Sequence, residues 1–283
     1  MTHPPPARPL VIGEVRVTPV LDSEGPFFLP LHEAFPTMDD ALLAAASRVD
    51  PPRSDPGSDD TWHLPFRAFV VEAHELVVLV DTGAASDTAV RRFWAPLRPD
   101  HLADRLPDLA GVTADQVTHV VLTHLHADHA AGSIDAEGRP AFRHAQYLVQ
   151  AEELAALAAS GADRSLWTAL VDPMMGSDQL RACHGDVELA PGPTSVRLLP
   201  TPGHTPGHQS LLVESGGRSA LVGGDVFLHA AQLIDPSCRY AIDADDELAV
   251  ATRRRLLEIL RAGDACLGTA HLGQAFIRAD ALP

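Results

Sequence analysis

The sequence predicts a mixed α/β (α+β) fold in which two packed mixed sheets carry helices on their outer sides. Three observations lead there. Apolar, strand-like runs followed by helical stretches occur twice along the 283 residues. No linker-like composition separates the two halves, so residues 10–283 are expected to form a single domain behind a Pro-rich, disordered tail at 1–9. Hydrophobic residues make up 46% of the chain, enough for a large core, yet no uninterrupted apolar stretch is long enough to cross a bilayer.

Taken in order, residues 10–21 read as a strand marked by Val11, Val15, Val17 and Val20, with Gly13 and Pro19 as punctuation. The stretch 25–30, containing Phe27, Phe28 and Leu29, is too apolar for an ordinary loop and is expected either to wall a pocket or to pack in the core. Asp39 or Asp40 can cap a helix running to Arg48, with Leu42, Leu43 and Ala46 inward. The polar, Pro-rich run 50–60 is a candidate lid or a linker. Strands at 66–73 and 76–81 follow, the second ending in Asp81-Thr82-Gly83, and helical stretches broken by Pro96, Pro99 and Pro107 occupy 87–110. The apolar run 117–123 is a buried strand.

Beyond it, 142–149 reads as a strand and 151–160 as an Ala/Leu-rich helix. A helical insertion is expected near 151–182, with Trp167, Met174 and Met175 close to the pocket. A short strand at 195–199 leads into the Pro- and Gly-rich run 200–208, whose Pro-Gly pairs favour tight turns. Gly216-Gly217 between 209–214 and 218–222 is a hairpin signal, and the second strand runs into Gly223-Gly224-Asp225. A long helix spans 245–261, capped by Asp243 or Asp245 and ended by Gly263. Leu248, Leu256, Leu257 and Leu260 face inward on it, and Arg253-Arg254-Arg255 form a solvated face. A last strand at 266–270 ends at His271.

The strand at 117–123 empties into His124-Leu125-His126-Ala127-Asp128-His129. Imidazole and carboxylate suit zinc and similar ions, and three histidines with one aspartate in six residues make a metal-ligand set. Residues two apart on a strand face the same way, so His124 and His126 can converge on one ion. Asp128 and His129 lie past the strand end, where a bent loop can aim them at a second. His204, Asp225 and His271 each follow an apolar strand beside Gly or Pro and offer further ligands.

His-x-His-x-Asp-His after a strand resembles the signature of the metallo-β-lactamase-fold superfamily, and the resemblance runs from about Val11 to Arg278. The branch it resembles holds quorum-quenching lactonases and methyl-parathion-hydrolase-like enzymes. The resemblance implies a four-layer αββα sandwich and two divalent metal ions, zinc being the expected metal. His124, His126 and His204 would bind one ion, and Asp128, His129 and His271 the other, with Asp225 bridging. Together with a bridging hydroxide these groups leave a site of net charge about +1, and a metal can lower the pKa of bound water to about 7. The expected function is therefore a dinuclear-metal hydrolase opening a carboxylic ester or lactone by attack of that hydroxide, with Asp128 and Asp225 as catalytic groups and Asp128 as proton shuttle. Asp81 can orient a ligand histidine, and His208 is expected to support the site without binding metal. Lactonases of the branch place a tyrosine three residues after the bridging aspartate. That position is Leu228 here, and His229 is a candidate pocket group beside it.

The formal charge of −17 repels nucleic acid and anionic membranes, so neither is an expected partner; a small ester or lactone is. A homodimer is left open. The amino-terminal residues lack the apolar core of a signal peptide, and Cys183, Cys238 and Cys266 show no paired spacing. A cytoplasmic location with inert, buried thiols is expected. The alternatives within the same fold are a phosphotriester or thioester hydrolase and a thiol or persulfide dioxygenase with one iron, which needs only three ligands.

Overall fold

The computed structural model describes residues 8–51, 61–84, 101–160 and 164–282. Its first sheet has seven strands in sequential order: β1 (Leu10–Ile12), β2 (Val15–Pro30), β3 (Thr61–Ala73), β4 (Leu76–Val80), β5 (His119–Val121), β6 (Gln146–Gln150) and β7 (Leu180–Cys183). β1 to β4 pair antiparallel, and β4 to β7 pair parallel. The second sheet contains β8 (Val187–Ala190), β9 (Thr194–Pro200), β10 (Gln209–Ser215), β11 (Arg218–Val222), β12 (Asp264–Gly268) and β13 (Phe276–Arg278), in the order β13-β12-β11-β10-β9-β8. Only β11 and β12 run parallel there, joined by the crossover that contains the helix Asp246–Arg261.

Alternation along the strands sorts side chains into layers. Val78, Val80, Val121, Leu211, Val213, Ala220 and Val222 meet between the two sheets. Their neighbours Leu79 and Val120 face outward and pack with Leu102, Leu106 and Leu170 from helical segments. On the far side, Leu212 and Leu221 meet Leu256, Leu257 and Leu260 of the helix Asp246–Arg261. Period-2 strands buried on both faces thus give helix, sheet, sheet and helix layers, as expected from the sequence.

Several local expectations are revised. Gly13, at φ 53°, divides the first strand into β1 and β2, and β2 continues through 25–30, paired with β3. Pro19 lies inside β2, opposite Phe69. The strand expected at 142–149 begins only at Gln146, because Gln179 binds the carbonyls of Phe142 and Ala145 and holds that approach as a turn. The expected insertion contains the helix Ala151–Ala159 and helical turns over 164–176, but Leu180–Cys183 is the edge strand β7. Trp167 and Met174 pack in the helix layer outside the first sheet, away from Phe27 in the opposite layer. The helix expected to end at Arg48 spans Asp40–Val49, and Asp39 caps it by accepting from Leu42 N at 2.8 Å. Residues 52–60 of the candidate lid and 87–100 of the helical region expected at 87–110 lie outside the described residues. Among the described residues, no helix is long and apolar enough to cross a membrane.

Candidate metal centre

The carboxyl ends of strands from both sheets meet at one edge of the sandwich. After β5, the chain passes through Thr123 to His124 and His126, then turns into the short helix Ala127–Ala130, which carries Asp128 and His129. The loop between β9 and β10 carries His204, the turn after β11 carries Asp225, and the segment after β12 carries His271. Gly224 in the turn after β11 has φ 53°, and a Cβ there would lie 2.7 Å from His208 Nε2, so the approach of this turn requires glycine.

The seven side chains form two adjoining groups. His124, His126, His204 and Asp225 present ligand atoms all within 4.8 Å of one another, and so do Asp128, His129 and His271. Asp225 stands between them. Its Oδ2 lies 3.4 Å from His204 Nε2 and 3.8 Å from His124 Nε2, while Oδ1 lies 3.0 Å from His271 Nε2 and 3.1 Å from His129 Nε2. Asp128 Oδ2 faces His129 and His271 at 3.5 and 3.6 Å.

The far sides of three of these imidazoles are tied down. His129 Nδ1 meets Asp81 Oδ2 at 2.7 Å, His204 Nδ1 meets Asp243 Oδ1 at 3.1 Å, and His271 Nδ1 donates to the Pro65 carbonyl at 2.9 Å. A proton held on Nδ1 leaves the Nε2 lone pair pointing into the centre. Asp81 also accepts from Thr123 N at 2.8 Å and does so from a left-handed backbone, φ 61°. That conformation costs a non-glycine residue roughly 1–2 kcal/mol, and the bonds to Thr123 and His129 hold it in place. Asp243 in turn pairs with Arg253, which is 1% exposed. The expectation that Arg253 lies on a solvated face is corrected here: the helix turns it inward, where it also donates to the carbonyls of Val226 and Cys238. The pairing of Arg253 with Asp243 has no local sequence signal, because it depends on where the long helix docks.

His208 is outside both groups. Its Nε2 accepts from Asp225 N–H at 3.0 Å, and Nδ1 contacts Thr201 Oγ1 at 2.8 Å, so both nitrogens are engaged in positioning loops. Glu153 performs a similar task, accepting from Leu125 N and Gly207 N at 3.0 Å each and thereby joining the two histidine loops. His229 packs against Phe35 and Trp62, with ring centroids 5.2 and 6.3 Å away, and burial lowers its pKa to about 4. It is neutral at pH 7.

The donors fit divalent metal. His124 Nε2 and Asp225 Oδ1 are buried and make no hydrogen bond, the two imidazoles near Oδ1 being poorly aligned for one. Such orphaned atoms are costly unless a ligand is bound. His204 Nε2 and His126 Nδ1 are 3.1 Å apart, close to the ~3.3 Å separating two nitrogens on one tetrahedral zinc ion. Burial lowers the pKa of His124 well below the ordinary value and that of His126 to about 4, keeping both neutral as ligands must be. Burial opposes charge on His129 and His271 also, but Asp225 and Asp128 outweigh it and raise both. Burial likewise disfavours charge on Asp225, yet His129 and His271 hold it well below the usual carboxylate range. The three thiols are buried, and burial raises the pKa of each, to about 11 for Cys238, so none is an activated nucleophile.

Residues 67–166 match the family described as the metallo-beta-lactamase superfamily. An N-acyl homoserine lactonase of Bacillus sp is 28% identical over 210 residues, covering 70% of this chain and 77% of that protein. Among solved structures, a probable metal-dependent hydrolase from Staphylococcus aureus has TM-score 0.78 and 20% identity, over 96% of this chain and 95% of its own. A dizinc quorum-quenching lactonase in complex with a product has TM-score 0.69 and 19% identity, over 95% of this chain and 92% of its own.

Proposed function

We propose that this chain, whose residues 67–166 match the metallo-beta-lactamase superfamily, is a metal-dependent hydrolase that opens carboxylic esters, lactones foremost, at a centre for two divalent ions. His124, His126 and His204 would hold one ion, Asp128, His129 and His271 the other, and Asp225 both. The observation that carries this is the orientation of Asp225, whose two oxygens face two different imidazole groups. Zinc at both positions would supply Lewis-acid stabilisation of the developing oxyanion and a water ionised near neutral pH.

The protein's own groups account for the rest. Asp243, Asp81 and the Pro65 carbonyl fix His204, His129 and His271, so the centre is preorganised before substrate arrives. Asp128 takes the proton released as water adds to the acyl carbon. It returns that proton to the leaving alkoxide when the C–O bond breaks, giving an alcohol and a carboxylic acid. Its side chain retains 9% exposure and so reaches the opening of the centre, and despite burial the charges of His129 and His271 keep it ionised and ready to accept. Phe27 and Trp62, each 8% exposed and backed by the fully buried Phe35, offer an apolar surface for an acyl chain. The overall charge of −17 disfavours polyanionic substrates such as nucleic acids.

A hydrolysis screen across esters, lactones, thioesters and phosphotriesters tests the reading. Ester or lactone turnover, lost on chelation and restored by zinc, is expected. Turnover confined to phosphorus esters, or to the oxidation of a thiol or persulfide, would replace it.

A further inference from the structure

The chain has two tyrosines, and the contrast between them is informative. Tyr147 is satisfied: its hydroxyl accepts from Phe142 N and donates to the Ser133 carbonyl, both at 3.1 Å. Tyr240 is 3% exposed, yet its hydroxyl makes no hydrogen bond with any described residue. The hydroxyl is not among the fully buried unpartnered atoms, so the ring is enclosed while its polar tip stays open to solvent or a ligand.

Tyr240 also stands where the two kinds of ring meet. It stacks on His204, with centroids 5.9 Å apart and planes 29° apart, and lies 5.3 Å from Phe35 and 6.4 Å from both Phe27 and Trp62. The backbone holds it there: Ala241 N donates to the Ala34 carbonyl at 2.9 Å, and Asp243 N to the Tyr240 carbonyl at 3.1 Å. A phenol ordinarily titrates at about pH 10, so the Tyr240 hydroxyl is a donor across the neutral range. His229, by contrast, touches only the aromatic side among these groups.

We infer that Tyr240 is a substrate-binding donor whose hydroxyl hydrogen-bonds the carbonyl oxygen of an ester or lactone, while the apolar part of that substrate lies against Phe27 and Trp62. This rests on the hydrolase reading above and adds to it a specific donor and a preference for substrates with an apolar chain next to the reacting carbonyl.

The test compares zinc-loaded wild type with Tyr240→Phe, which keeps the ring and its packing. Zinc content and thermal unfolding are expected to match. With γ-decalactone, kcat is expected to fall about 100-fold, with a smaller change in KM. Calorimetric affinity for the product, 4-hydroxydecanoate, is expected to fall about tenfold. Product binding does not depend on turnover. A wild type that binds 4-hydroxydecanoate without opening the lactone would refute the hydrolase reading, and the affinity ratio would still decide the role of Tyr240. Equal kcat and equal product affinity in the two proteins would overturn the inference, as would a wild type that does not bind the product. Loss of zinc from Tyr240→Phe would assign the phenol to support of His204 and equally overturn it.

Discussion

Asp243 Oδ1 lies 3.1 Å from His204 Nδ1, and the same carboxylate pairs with the buried guanidinium of Arg253. One aspartate therefore fixes a candidate ligand and neutralises a cation under the long helix. Asp243→Ala is expected to weaken metal at the His204 position by about 10- to 100-fold. It should also destabilise the fold by about 3–5 kcal/mol, because the buried Arg253 is left without a carboxylate to neutralise it. Metal titration and denaturant unfolding measure the two effects separately. Unchanged values for both would remove Asp243 from the support of the centre.

Glu153 is the second support. Truncation to alanine strands two buried backbone donors, Leu125 N and Gly207 N, at about 1–3 kcal/mol each. Glu153→Ala should thus unfold at markedly lower denaturant than wild type, whereas Glu153→Gln, which keeps one good acceptor, should fall between them.

These two residues mark the boundary of what the sequence made legible. The seven candidate ligands lie at strand ends, where apolar runs stop at Gly, Pro or a His-rich turn, and such local patterns are readable. So is the helix cap at Asp245, which accepts from Leu248 N at 3.0 Å, as proposed for Asp243 or Asp245. Asp243 and Arg253 are partners across a helix start, and Glu153 ties loops more than 50 residues from itself on one side, so only the assembled layers bring them to work. The edge strands β7, β8 and β13 are likewise illegible locally. Each is three or four residues long, too short for a period-2 signal of its own.

His208 and Asp225 should separate on substitution. Asp225→Ala removes the carboxylate that faces both imidazole groups and is expected to abolish turnover and release at least one metal. His208→Ala removes only the acceptor for Asp225 N–H, so both metals should be retained and less activity lost. Elemental analysis alongside kinetics distinguishes these outcomes, and the reverse pattern would exchange their roles.

Acid should destabilise the metal-free protein before its carboxylates titrate. His126, His208 and His229 have folded pKa values of about 4, 3 and 4, lowered chiefly by burial, so below 6.5 the unfolded chain takes up protons first. Their contribution is present above 6.5 and is lost as pH falls through 4 towards 3. His129 and His271 are shifted upward, so their contribution is fully present below 6.5 and offers no compensating gain there. Denaturant unfolding of metal-free protein at pH 7, 5.5 and 4.5 should show a steady decrease. The same upward shifts mean that metal binding at pH 7 releases protons from His129 and His271, visible as a buffer-dependent binding enthalpy.

The most direct measurement is elemental analysis of protein purified without added metal. Two divalent ions per chain are expected, mainly zinc, with depletion by a chelator abolishing ester and lactone hydrolysis. A single iron per chain and no zinc would contradict the dinuclear centre and leave Asp225 facing one ion only.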